Sequence, residues 1–178
     1  EGSDEDGGLD GPGLEMDTGG DPVVMDFSTE LIRMKIGYFE ANVADGIVQF
    51  SGSAEIALGP TQEVVLTDGS TETVRTLTLG MNDVNGFAGF GPYFEDTNGN
   101  GRIDENDTTR DSAIGLVLED LDLGLVIMQN QDLFNPGFYL AAKMSITRIG
   151  LVGIPGVTME ATDMELKINL GASLESGL

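Results

Sequence analysis

Residues 63–80 read EVVLTDGSTETVRTLTLG, with Asp68-Gly69 set between two runs in which apolar and polar residues alternate. Period two sends successive side chains to opposite faces of a strand, and an Asp-Gly pair suits the tight turn that joins antiparallel neighbours. The stretch therefore predicts a β-hairpin. Toward the N-terminus the same period continues. Ala54, Ile56 and Leu58 follow Val48 and Phe50 across a break at Ser51-Gly52-Ser53, and Gly59-Pro60 is expected to end that strand. Ile32, Met34, Ile36 and Tyr38 alternate with polar residues or Gly, after which the phase slips by one to Phe39, Ala41 and Val43, implying a bulge or bend. Toward the C-terminus a Gly-rich stretch spans Gly80 to Pro92, and SAIGLVLEDLDLGLVIM (residues 112–128) resumes the alternation. Within it Glu119 to Leu123 could form a helical turn, but β-branched neighbours and the Leu spacing favour strands with a phase slip. Residues 138–154 and 157–170 continue the pattern across a Gly153-Ile154-Pro155-Gly156 turn. The expected fold is all-β, a sandwich or a short β-solenoid with an inserted loop.

The chain has 178 residues, 40% of them apolar, enough for one domain with a core, with 31 Asp plus Glu against 8 Lys plus Arg. A net charge of −23 repels phosphate backbones and anionic membrane surfaces, so no nucleic acid partner is expected. There is no His and no Cys, which excludes Ser-His-Asp and Cys-His nucleophile systems and the usual zinc, copper, haem and iron-sulfur ligation. No run approaches the roughly eighteen apolar residues of a membrane span, so no membrane insertion is expected. Self-repulsion at this charge suits a medium rich in salt or divalent cations, such as a cell exterior. Residues 1–22 hold seven Gly, two Pro and eight acids without one basic residue, so residues 1–25 read as an acidic Gly-rich tail or linking arm and 26–178 as the β domain.

Two stretches look like copies of one unit. IGYFEANVADGIVQFSGSAEIALG (36–59) and IGLVGIPGVTMEATDMELKINLG (149–171) each run from Ile-Gly through an apolar strand and a turn to a longer alternating strand ending in Leu-Gly.

One motif carries chemistry. Residues 96–107 read DTNGNGRIDEND and match a twelve-residue calcium loop: Asp96 at position 1, Asn98 at 3, Asn100 at 5, Gly101 at 6, Arg102 at 7, Asp104 at 9 and Asp107 at 12. A hard cation takes six to eight oxygens, and alternate residues of a curled loop can aim theirs inward together. Arg102 would offer its carbonyl. Ile103 at position 8 is the apolar residue expected to pin the loop to a core or a partner loop. Asp107 is shorter than the usual bidentate Glu, and two ligands are Asn, so a structural site suited to millimolar calcium is expected. The alternative is an acidic surface turn with no ion bound.

This loop resembles those of the EF-hand and dockerin families, over its twelve residues only, since GFAGFGPYFE before it is no helix. Leu151-Val152-Gly153-Ile154, then Gly156-Val157-Thr158-Met159 and a strand ending in Ile168-Asn169 resemble β-rich repeat modules of large calcium-binding bacterial surface or secreted proteins. That second resemblance covers about sixty residues and implies an extracellular structural or adhesive role.

The expectation is a calcium-stabilised structural module of a bacterial surface adhesin, matrix or self-assembling filament. Its partners would be copies of itself, neighbouring modules of a longer chain, or surface glycans. A calcium-dependent carbohydrate-binding module would use Tyr38, Tyr93 and Tyr139 as platforms, although Trp is absent. A β-groove for lipid is a further alternative, because one face of alternating strands is apolar. Catalysis is not expected: Glu119, Asp120 and Asp122 cluster, but acid-pair glycoside chemistry also needs an apolar pocket with sugar platforms. Lys143 and Ser145 stand two apart with nothing to mark an oxyanion hole.

Overall fold

The computed structural model describes residues 14–25, 30–66, 68–104, 106–132 and 136–173, with side chains to 171. Ten strands follow in chain order: β1 (Leu14–Met16), β2 (Val23–Met25), β3 (Ile32–Val43), β4 (Val48–Val65), β5 (Thr71–Phe90), β6 (Phe94–Glu95), β7 (Thr108–Thr109), β8 (Ile114–Asn130), β9 (Gly137–Val152) and β10 (Met159–Ser173). Six of them form one antiparallel sheet in the order β10-β9-β8-β5-β4-β3. The all-β expectation holds. The large sheet stays open, does not close into a barrel, and is consistent with a layer of a sandwich. Of the expected acidic tail, residues 1–13 lie outside the described residues; the remainder pairs β1 with β2 as a separate two-stranded sheet.

The Asp68-Gly69 hairpin forms as its chemistry requires. Gly69 takes φ +85°, and the Asp68 carboxylate accepts the Ser70 amide at 2.9 Å and the Ser70 hydroxyl at 2.6 Å. Two expectations change. Gly59-Pro60 does not end its strand: β4 runs on to Val65, because the pairing shifts between Leu58 and Thr61 and the proline falls in the irregularity, where it need not donate to the ladder. The Gly-rich stretch is strand as far as Phe90, because its glycines let neighbours come close: a Cβ on Gly89 would fall on the Ile114 carbonyl and 2.5 Å from the Gly115 Cα.

Strands of up to 20 residues greatly exceed the usual five or six, and this sheet interrupts them together. Register shifts lie between Ile36 and Phe39, between Ser51 and Ser53, and on both sides of Val84, and Asp83, Asp120 and Asp163 have φ of 53°, 55° and 52°. The irregularities share one line: Val84 faces Leu121, Leu121 faces Ile146 and Ile146 faces Met164. Each strand resumes its alternation beyond that line, so the two faces keep their character.

One face is apolar across all six strands. Met34, Ile56, Leu79, Leu125, Ala142 and Ile168 are partners in register and form one row. A row on one side holds Ile32, Leu58, Leu77, Ile127, Leu140 and Leu170, and a row on the other holds Ile36, Ala54, Met81, Leu123, Met144 and Leu166. None of these side chains is buried. The other face carries polar rows, such as Lys35, Glu55, Gly80, Gly124, Lys143 and Lys167. A compact core also sits on that face, where Phe87 and Val117 are covered by Tyr93, Phe94 and Ala113. Phe87 and Tyr93 stack at 5.5 Å between ring centres, and Phe94 meets Tyr93 edge-on at 4.9 Å.

Candidate metal site

The loop 96–107 is the connection of a small hairpin, β6 to β7, with Glu95 opposite Thr108. Buried Gln49 on β4 seats that hairpin on the sheet. Its Oε1 accepts the Tyr93 and Phe94 amides at 2.7 and 2.9 Å, and its Nε2 donates to the Phe94 carbonyl at 2.9 Å.

Within the loop the two end carboxylates turn inward onto backbone amides. Asp96 accepts from Gly99, Asn100 and Gly101 at 2.7, 3.1 and 2.8 Å. Asp107 accepts from Thr97 at 2.9 Å, from Asn98 at 3.3 Å and from Asp104 at 3.0 Å. Between them, Asn98 Oδ1 accepts the Asn100 amide at 2.9 Å, and Asn100 Oδ1 the Arg102 amide at 2.8 Å. Gly101 has φ +78°, a conformation that L side chains resist. Asp104 is held below the usual carboxylate range, first by the Asn106 amide and next by the Asn100 side chain. All six residues expected as ligands thus lie in one loop. The apolar residue at position 8 also behaves as expected: Ile103 packs against the Phe87–Val117 core.

Tyr38 holds the loop from the β3 bulge. Its hydroxyl accepts the Ile103 amide at 2.8 Å, and the Arg102 guanidinium lies 5.4 Å from its ring centre. Burial is the main cause of its raised pKa.

Among the described residues, the three carboxylates with oxygens all within 4.8 Å of one another are Asp83, Asp120 and Asp122, on the bulge line. Asp122 accepts the Asp83 amide at 3.2 Å, Thr147 donates to Asp120 at 2.7 Å, and Asn85 accepts the Asp120 amide at 3.1 Å. A cleft of about 680 Å³ separates this cluster from the loop, with Asp83, Asp104, Asp107, Glu119 and Asp120 in its walls. Linear spacing did not reveal the pairing, because Asp83 lies on β5 while Asp120 and Asp122 lie on β8. The one available signal was Asn82-Asp83, a pair of turn residues inside an apolar alternation.

Glu119 is committed elsewhere. It takes Arg148 Nη1 at 2.9 Å and the Tyr93 hydroxyl at 3.0 Å, while Arg148 Nε donates to Glu160 at 3.0 Å. Burial opposes the charge on Arg148, yet hydrogen bonds with Tyr93, Glu160 and Glu119 hold its pKa above the ordinary range. Lys143 pairs with Glu165 at 3.3 Å.

No protein family, curated protein or solved structure matches this chain. No helix among the described residues is long and apolar enough to cross a membrane.

Proposed function

We propose that the chain is a calcium-stabilised extracellular structural module, a unit of a bacterial surface adhesin, matrix or self-assembling filament. One observation carries the reading: Asp96 and Asp107, at the ends of a twelve-residue oxygen-rich loop, both turn inward while Ile103 ties that loop to the core. Side-chain oxygens of Asp96, Asn98, Asn100, Asp104 and Asp107, with the Arg102 carbonyl, would hold the ion, a hard donor set that fits calcium. The ion would neutralise three clustered carboxylates and make the seat of the β6–β7 hairpin rigid. The partners in this reading are copies of the chain or neighbouring modules. A charge of −23 keeps such units soluble and apart on their polar faces. As a sugar platform Tyr93 is poorly placed, being 7% exposed and stacked on Phe87.

Thermal melts with calcium, with magnesium and with chelator, alongside calorimetric titration, test the proposal. Calcium at a hundred times its Kd adds about 2.7 kcal/mol, which in a chain of this size raises Tm by roughly 5–11 °C. Asp96→Asn should remove both the shift and the binding heat. Absence of a shift or heat at millimolar calcium overturns the reading.

A further inference from the structure

The apolar face of the main sheet points to a second occupant. Its three rows run through all six strands without one polar residue, and Ile32, Leu170 and Met34 on them are 65%, 63% and 57% exposed. A sheet face of this character is normally covered by another layer. The small core and the 96–107 hairpin lie on the opposite face, and the residues outside the described ones hold six large apolar side chains, Leu9, Phe27, Leu133, Phe134, Leu174 and Leu178, spread over separate short segments and too few to supply a layer.

We infer that this face packs against the same face of a second copy of the chain, completing a two-layered sandwich as a symmetric dimer. Area argues for it. Six strands about 4.8 Å apart, each presenting three apolar same-face positions about 6.8 Å apart, make a surface of roughly 29 by 20 Å. Two copies would then bury about 1,200 Å², at the lower end of the roughly 1,200–2,000 Å² of stable complexes. A two-fold pairing needs one self-complementary patch, and an uncharged face meets that condition. The chain's acidity does not forbid the approach. Most of its charges stand on the outer faces of layers about 10 Å apart, farther than the Debye length of about 8 Å at physiological salt, and Arg75, in the row next to Leu77, is paired with Glu30 at 3.0 Å. Low salt should loosen the dimer. The inference does not rest on the calcium loop, which belongs to the other face.

Light scattering of the full chain after size exclusion tests it, in calcium and again in chelator. The expected mass is twice the 18.8 kDa of one chain in both buffers. Leu79→Asp combined with Leu125→Asp, at the centre of the face, should halve that mass. Thr78→Asp, on the opposite face of the same strand, should leave it doubled, with circular dichroism checking that each variant folds. Peroxide footprinting of the unmodified chain provides a measurement independent of the variants: Met34, Met81 and Met144 on the face should oxidise more slowly than Met16 outside it, and lose that protection on dilution. A single-chain mass, copurified lipid on a monomer, a doubled mass that survives both aspartates, or Met34 oxidising as fast as Met16 would overturn the inference. Loss of dimer in chelator alone would instead tie association to the loop and refute the face as its cause.

Discussion

Replacing Gln49 by Leu tests whether the candidate loop is seated by its hairpin. Gln49 is 6% exposed and makes three hydrogen bonds to Tyr93 and Phe94 at the start of the hairpin, two accepted by Oε1 and one donated by Nε2. Leucine retains comparable bulk but orphans the Tyr93 amide, the Phe94 amide and the Phe94 carbonyl. A net loss of about 1 kcal/mol per bond gives roughly 3 kcal/mol, and more if the orphaned groups stay dry. For a chain of this length that corresponds to a fall in Tm of about 6–12 °C. Urea unfolding can be followed by tyrosine fluorescence, since the chain has three Tyr and no Trp, and Tyr93 reports from the site. The midpoint should drop while the m-value stays constant, because the surface exposed on unfolding barely changes. Gln62→Leu, on an exposed stretch of the same strand, is the control and should stay within about 0.5 kcal/mol. If Gln49→Leu costs no more than the control, the hairpin is held by the aromatic stack, and the amide clamp has no share in it.

Three further outcomes follow from local geometry. Gly115→Ala should destabilise by about 1–3 kcal/mol in chemical denaturation, because a Cβ there would fall on the Ala88 carbonyl and 2.8 Å from the Phe87 ring; Gly80→Ala, with nothing within 4 Å, should be neutral or gain up to about 1 kcal/mol. Asp68 is held below its ordinary value of 3.8, first by the Ser70 hydroxyl and then by the Ser70 amide. Its contribution to folding is complete above the unfolded value and lost as pH falls through the lower folded one; an NMR carboxyl titration with a midpoint at or above 3.8 would refute this. Arg148→Met should cost about 1–3 kcal/mol by leaving half-buried Glu119 without its cation, and adding Glu119→Gln should recover part of the loss; strict additivity in the double-mutant cycle would deny the coupling.

Much of the sheet was legible because period two is a direct image of its two faces. The slip between Ile36 and Phe39 marked the β3 bulge, and Asp68-Gly69 marked the hairpin. Gly59-Pro60 and the glycines before Pro92 misled, since the same residues that end short strands are absorbed as irregularities in long ones. Tyr38 illustrates the limit: alternation put it with Ile32, Met34 and Ile36, but it sits in the bulge and reaches Ile103 on the other face. For the candidate loop, the spacing already brings Asp96 and Asp107 to one turn, because the backbone amides they accept from are local. The partners of Gln49 and Asp83 were not legible, since they lie 44 and 39 residues away and are set only by strand order.

The two similar stretches explain why the apolar face is uninterrupted from edge to edge. They fold as the hairpins β3–β4 and β9–β10, which form the two opposite margins of the sheet. Ala54, Ile56 and Leu58 of one match Leu166, Ile168 and Leu170 of the other, counting back from the Leu-Gly end, and each matched pair occupies the same row. β4 and β10 also run in the same direction, so the relation is a displacement across the sheet by four strands. A one-residue slip in either hairpin would turn its apolar set to the polar face. The shared bulge line opposes that slip: β3, β4 and β5 carry register shifts along it, β5, β8 and β10 carry Asp83, Asp120 and Asp163 in the left-handed conformation on it, and alternation is restored on both sides. Moving one bulge alone, by deleting Asp163 in β10, should therefore cost more than the lost side chain, because it throws Met159 and Ala161 onto the wrong face while Met164 to Leu170 keep theirs. The observable is the hydrogen exchange of β9 amides opposite Met159–Thr162. Rapid exchange confined to that half of the pair supports a register held by the bulge line, and uniform protection along β9 refutes it.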